Sequence, residues 1–280
     1  MKMNKKYNSE EEFLKAYNKN DFDLLSITTD ILIFSVSHLE SENYRKLGEK
    51  KCSVLLVKRN TYPYKDKWCL PGGFINIDEE LEDATKRILK NETNLKNIYL
   101  EQLYTFSGIN RDPRMRVLST AYMTLINKDK IKEKLANNTS WFDITYTEKP
   151  KNSTESILSF TLDNGKTSLS FEVLKIWKEK TSNIFEYKMI NNDNIAFDHP
   201  LVIATGLDRI KNKIEYTDIV FNIMPKYFTL GQLQQVYETI LGKDLLAPDF
   251  RRTIKNKVEK TDKVLTGAGH RPSALYKYKG

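Results

Sequence analysis

Apolar and polar positions along the chain fall into stretches of different period. Residues 27–36 (ITTDILIFSV) and 51–60 (KCSVLLVKRN) are β-branched and aliphatic, which predicts strands, and a polar loop, HLESENYRKLGEK, separates them. The stretch 68–95, WCLPGGFINIDEELEDATKRILKNETNL, opens as an apolar strand end and turns through Pro71-Gly72-Gly73. The paired glycines let the backbone turn tightly or approach a ligand closely. A helix is predicted from near Asp78, because Asp78, Glu79 and Glu80 place negative charge where a helix N-terminus favours it. Leu81, Ala84 and Ile88 then give that helix one apolar face. NIYLEQLYTFSG and MRVLSTAYMTLI read as two further strands around a charged turn, Asn110-Arg111-Asp112-Pro113-Arg114.

Residues 127–194 are harder to resolve. Trp141-Phe142-Asp143-Ile144 reads as a strand, followed by an insertion over about 145–194. In it, SILSFTL and TSLSFEVLKI flank Asp163-Asn164-Gly165, a hairpin signal, and IFEYKMI adds a strand. Covering a pocket, building a dimer surface and decorating a sheet edge are all compatible with this pattern. Residues 195–214 predict a helix with Asp198 or His199 near its start and Pro200 in its first turn. From Phe228 the texture changes. FTLGQLQQVYETILG is amphipathic, with Thr229 as N-cap and Gly242 as stop, and a second, basic helix is predicted over 249–257. Phe250 and Ile254 are spaced for burial, which leaves Arg251, Arg252 and Lys255 outward. Two strands follow around a tip at Ala268-Gly269-His270-Arg271-Pro272, so helix, turn, basic helix and basic hairpin together describe a winged helix-turn-helix. At the other end, Ser9 and Glu12 form a capping-box pair for a short helix in an N-terminal arm, residues 1–22.

Charge sharpens this picture. The net charge is +8, and from residue 221 onward 11 Lys and Arg face five Asp and Glu, leaving +6 in that end alone. Such asymmetry points to nucleic acid. No apolar run has the roughly 18–20 residues of a membrane span, and the charged N-terminus has no signal-peptide core, so a cytoplasmic protein is expected. Cys52 and Cys69 sit in apolar strand-like stretches and read as buried free thiols. His38, His199 and His270 are far apart and show no metal-ligand spacing, and His199 is given a structural role.

Residues 68–95 resemble the Nudix box, G-x5-E-x7-R-E-U-x-E-E-x-G-U with U aliphatic. Gly73, Glu79, Arg87, Leu89, Glu92 and Leu95 match in spacing, whereas Ile88 and Asn91 replace glutamates and Asn94 replaces glycine. Positions 88, 91 and 92 share one helix face by spacing, the face that in working Nudix enzymes holds divalent metal. With one carboxylate, Glu92, left on it, the resemblance implies a Nudix fold that has lost its chemistry. No catalytic residue is expected at the degenerate positions Glu79, Arg87, Ile88, Asn91 and Glu92, and no metal, with Glu92 the one ligand left to hold it. The Arg-Asp-Pro-Arg turn resembles Nudix proteins that bind ADP-ribose. Alone it reads as a solvated turn; after a Nudix box, Arg111 and Arg114 are placed to meet a diphosphate. The implied effector-binding set is Gly72, Gly73, Arg87, Glu92, Arg111 and Arg114.

FTLGQLQQVYETILGKDL, DFRRTI and RPSALYKY resemble the winged helix of the Nudix-related transcriptional regulators of NAD metabolism (NrtR-like). The resemblance implies an α/β (α+β) chain: a Nudix α/β/α sandwich over 23–220, sensing an effector, and a C-terminal winged helix-turn-helix over 221–280, with a joint at 211–228. It implies a regulator, in the first instance a repressor, that senses ADP-ribose or a related nucleotide and binds a palindromic double-stranded operator as a homodimer. Arg251, Arg252, Lys255, Lys257, His270 and Arg271 are the expected DNA contacts. The alternatives are an active ADP-ribose pyrophosphatase using magnesium, and a sugar-responsive regulator of the same family.

Overall fold

A computed structural model describes residues 9–18, 23–38, 50–128, 131, 135–179, 181, 184–265 and 272–280. The wing-tip candidates His270 and Arg271 lie outside the described residues.

One large mixed sheet organises the molecule. Its strands are β1 (Ser26–His38), β2 (Lys50–Lys58), β3 (Trp68–Cys69), β4 (Gly72–Phe74), β5 (Glu101–Phe106), β6 (Val117–Ile126), β7 (Thr139–Pro150), β8 (Glu155–Asp163), β9 (Ser168–Glu179) and β10 (Ile184–Asn192). The order across it is β10-β9-β8-β7-β2-β1-β6-β5, with β3 on β2 and β4 on β1. The central pair β1–β6 is parallel and the other pairs are antiparallel.

The centre of β1 is buried on both faces, so its alternating side chains feed two cores. Ile31 and Ile33, with Leu55 of β2, pack against Ile88, Leu89 and Leu95 around helix α2 (Leu81–Thr93). Leu32, Phe34 and Val36, with Cys52, Val54 and Leu56, face the opposite layer. That layer is built by α3 (His199–Tyr216), α4 (Leu230–Leu241) and α5 (Ala247–Ile254). Helix, sheet and helices thus form the expected α/β/α sandwich. The short α1 (Glu10–Ala16) is capped at Ser9, whose hydroxyl accepts the Glu12 N–H at 3.1 Å, and it buries no residue.

Several expectations change. Helix α2 starts at Leu81, not near Asp78, because the Glu79 carboxylate turns back to accept the Asn76 N–H at 2.7 Å and holds 76–79 as a turn. Trp141–Ile144 is a strand, as read, but an interior one, in β7 between β2 and β8. β7 continues into a regular antiparallel ladder with β8, from Asp143↔Asp163 to Pro150↔Ser156, and the sheet runs on through β9 and β10. Of the roles open to the 145–194 insertion, the structure shows a sheet extension, with the hairpin at Asp163-Asn164-Gly165 as expected. The helix of 195–214, by contrast, starts as expected, with Asp198 as N-cap, His199 first and Pro200 in the first turn, and 195–196 form a short bridge to Trp68 before it.

The C-terminal unit follows α3 through a 3₁₀ turn (Ile219–Asn222). Helix α4 has the expected ends: the Thr229 hydroxyl accepts the Gln232 N–H in a capping box, and Gly242 at φ 70° closes it. A side chain at Gly242 would meet the Tyr146 hydroxyl at 2.8 Å, so the extended sheet reaches the helix end. Tyr146 is also hydrogen-bonded to Lys211 of α3. The second basic helix spans Ala247–Ile254, shorter than the predicted 249–257, and Lys257 lies in the turn into β11 (Val258–Leu265). β11 pairs with β12 (Ser273–Tyr278), and Phe228 bridges to Tyr276. Phe228, Leu233, Val236, Ile240, Phe250 and Ile254 belong to the same apolar cluster as β1 and β2.

Candidate ligand cleft and nucleic-acid interface

A cleft of about 250 Å³ opens between the ends of β1 and β2, the Pro71-Gly72-Gly73 turn, the 111–114 turn and the start of α3. Gly72 and Gly73 line it, as expected, and the room there needs glycine. A side chain at Gly72 would meet Asp30 Oδ1 at 2.5 Å, and one at Gly73 would press Ile88 Cδ1 at 3.3 Å.

The floor of the cleft is a buried polar cluster. Arg111 donates from Nη2 to Asp30 Oδ2 at 3.0 Å and grips Asp198 twice, from Nε at 3.0 Å and Nη2 at 2.8 Å. Ser119 donates to Asp30 at 2.6 Å, and His199 Nε2 lies 3.4 Å from the other Asp30 oxygen. His199 Nδ1 accepts the Leu70 N–H at 2.9 Å, which gives this histidine the structural part expected of it. Burial alone would push the Asp30 carboxyl up; His199, Arg111 and Ser119 more than offset this and hold it well below the usual carboxylate range. Arg111 therefore does not stand free for a diphosphate. Its side chain is 4% exposed and is shared by two carboxylates.

Arg114 is different. It pairs with Asp112 at 2.8 Å, lies 5.0 Å over the Phe74 ring and keeps 37% of its side chain exposed beside the cleft. Arg87 does not line the cleft. It donates to Glu79 from Nε at 2.8 Å and to the Phe74 carbonyl, clamping the loop onto α2. That clamp draws the Glu79 carboxyl down to about 2.

The supposed metal face splits apart. Ile88 is buried behind Gly73, Asn91 is exposed away from the cleft, and only Glu92 reaches it. Burial raises the Glu92 carboxyl, against the opposing charge of Arg59. One carboxylate disfavoured in its charged form, beside an isoleucine, does not fit a divalent cation. Among the described residues, no three His, Cys, Asp or Glu side chains converge to hold a metal ion.

Sequence reasoning missed Asp30, Asp198 and Arg59. Arg59 stacks 4.9 Å from the Phe197 ring on the cleft wall. Asp30 had left a signal, a lone charge inside an apolar strand. Asp198 had none beyond its place before a helix.

The basic end presents a second surface. Phe250 and Ile254 turn inward, and Arg251 and Arg252 on α5 are exposed together with Lys255, its C-cap residue. Among the described residues, Arg252 pairs only with the exposed Asp249, at 3.0 Å. Lys257, expected to meet phosphate, is instead bound to Asp218 at 2.8 Å, which ties the end of α5 to the turn after α3.

The NUDIX domain model matches residues 44–157, and the NrtR DNA-binding winged helix domain matches residues 220–278. The ADPR responsive transcriptional repressor NtrR of Acinetobacter baylyi is 29% identical over 284 residues, covering 99% of this chain and 92% of that protein. Among solved structures, a MutT/nudix family protein from Enterococcus faecalis aligns with a TM-score of 0.67 at 24% identity, covering 97% of this chain and 94% of the other. Shewanella oneidensis NrtR complexed with a 27mer DNA aligns with a TM-score of 0.59 at 24% identity, covering 90% and 93%. The shared fold spans nearly the whole chain.

Proposed function

The chain carries a NUDIX domain joined to an NrtR DNA-binding winged helix domain, and from that premise we propose that it is an ADP-ribose-responsive transcriptional repressor. One observation carries this reading: the exposed basic face of α5 and the cleft at the degenerate box belong to one packed chain, so a small molecule and a duplex have separate places on it. The likeness to the ADPR responsive repressor of Acinetobacter baylyi favours ADP-ribose over a sugar as the effector.

In the cleft, the backbone at Gly72 and Gly73 admits the ligand closely and Arg114 supplies the forked cation for its diphosphate. Glu92 borders the ligand. Hydrolysis is not proposed and no metal is required, because Glu79 is consumed by Arg87 and Ile88 offers no lone pair. On DNA, Arg251 and Arg252 reach base edges, Lys255 meets phosphate, and His270 and Arg271 add further contacts. Two copies, as a homodimer, read a palindromic operator in the cytoplasm. A hundredfold change in operator affinity on effector binding requires about 2.7 kcal/mol of coupling.

The test joins calorimetry to product analysis. The full-length protein is titrated with ADP-ribose in the presence of magnesium, and the recovered ligand is examined for AMP. A duplex selected from a random pool by the protein is then titrated in a mobility-shift assay with and without ADP-ribose. Saturable binding of intact ligand with altered duplex affinity is expected. Release of AMP restores the pyrophosphatase reading, and absence of binding removes ADP-ribose as the effector.

A further inference from the structure

Asp30, which lines the cleft, and Asp198, which lies behind it, share one guanidinium, Arg111, all of them buried or nearly so. If an anionic effector occupies this cleft, as the functional reading has it, it competes with both carboxylates for Arg111, and reaches the guanidinium only if one of them gives way. The two are not held equally. Asp30 is fixed by Arg111, Ser119 and His199, while the Asp198 carboxylate is hydrogen-bonded to Arg111 alone among the described residues. Asp198 is the one free to move.

It also has somewhere to go. Asp198 is the N-cap residue of α3, yet its side chain caps nothing. An N-cap carboxylate ordinarily accepts the N–H of the second or third helical residue, with the cap in extended conformation. Here the second is Pro200, which has no N–H. The third, Leu201, donates to the Asp198 carbonyl at 2.9 Å, and Asp198 sits at ψ 20° instead. The residue before it, Phe197, is held at φ 57°, a left-handed conformation unfavourable to an aromatic residue. The Arg111 pair thus keeps the chain at the start of α3 away from its ordinary capped form.

The far end of α3 is fastened to the winged helix. Asp218, just beyond the helix, binds Lys257 at 2.8 Å and accepts the Tyr278 hydroxyl at 2.8 Å. Lys257 leads out of α5, and Tyr278 ends β12. Ile214 of α3 faces the same groove as Tyr237 and Phe250. Packed helices shift as units by about 1–2 Å in switching proteins.

We propose that the Arg111–Asp198 pair is a switch. An anion in the cleft releases Asp198 to cap α3, and the resulting shift of α3 passes through Asp218 and Lys257 to the DNA-reading helix. Asp198 is a positioning residue in this scheme, acting through α3 rather than on the ligand.

Hydrogen exchange of the full-length protein, with and without ADP-ribose, tests it. In the wild type, ligand should alter exchange at 199–205, 217–222 and 247–258. Asp198→Ser is too short to reach Arg111 but able to cap. It should show the liganded pattern without ligand, change little on adding it, and still bind ADP-ribose by calorimetry. Lys257→Met should keep the response at 199–205 and lose it at 247–258, so the idea is tested even if the Ser variant fails to fold. Asp198→Ser responding like wild type, or wild type binding with no change beyond the cleft, overturns the switch. Loss of ADP-ribose binding in Asp198→Ser alone would make Asp198 a ligand contact and also overturn it. Absence of binding in the wild type overturns the functional reading instead.

Discussion

Arg111 and Arg114 belong to one short turn and answer to different physics. Arg111 is a buried cation whose removal strands two carboxylates, so Arg111→Ala should cost about 3–5 kcal/mol of stability in urea denaturation. A loss below about 1 kcal/mol would mean that water reaches the cluster freely. Arg114 is half-exposed, and its loss should act mainly on ligand affinity. The same cluster sets an acid limit. Asp30 is held well below its ordinary range in the fold, so its contribution is full above the unfolded value of about 4 and is lost as pH falls toward the folded value. Unfolding free energies measured between neutral and strongly acid pH should therefore fall more steeply below about pH 4 in the wild type than in Asp30→Asn. The variant should be the less stable of the two at neutral pH. Parallel curves would assign the acid sensitivity to other carboxylates.

Individual elements were mostly legible in the sequence, because their signals are local. The Thr229 cap, the Gly242 stop, the Asp163-Asn164-Gly165 hairpin and the alternation of β1 each depend on neighbours within a few residues. Where a distant partner decides, the sequence misled. Asp78-Glu79-Glu80 has the composition of a first helical turn, but Arg87 draws Glu79 back into the loop. The cleft floor was invisible because Asp30, Arg111 and Asp198 meet only once the sheet and α3 are assembled. Lys257 looked like a phosphate contact until Asp218 was seen beside it. That difference gives a prediction for α5. Arg252 gives up only an exposed pair with Asp249, so Arg252→Ala should weaken duplex binding by about 1–3 kcal/mol in mobility-shift titration at fixed salt. Lys257→Ala should weaken it less and lower the unfolding midpoint instead. The reverse ranking would put the DNA face on the wrong side of α5.

At the scale of the whole molecule, the C-terminal helices do not hang from the sandwich; they help to fill it. Phe228, Leu233, Val236, Ile240 and Phe250 share an apolar cluster with Leu32, Phe34, Val54 and Leu56. A core common to both parts should unfold as a unit, so calorimetry should record one transition, with calorimetric and van't Hoff enthalpies in agreement. Two resolved transitions would show that the winged helix holds itself together alone. The extended strands take part in this as well. Tyr146 on β7 reaches both Lys211 of α3 and the turn at Gly242 that closes α4. A DNA-reading end propped in this way is a poor candidate for exchange between genes. A lineage that recombined it onto another sensor would inherit the arch without its buttress, and the two halves are expected to travel, drift and compensate together.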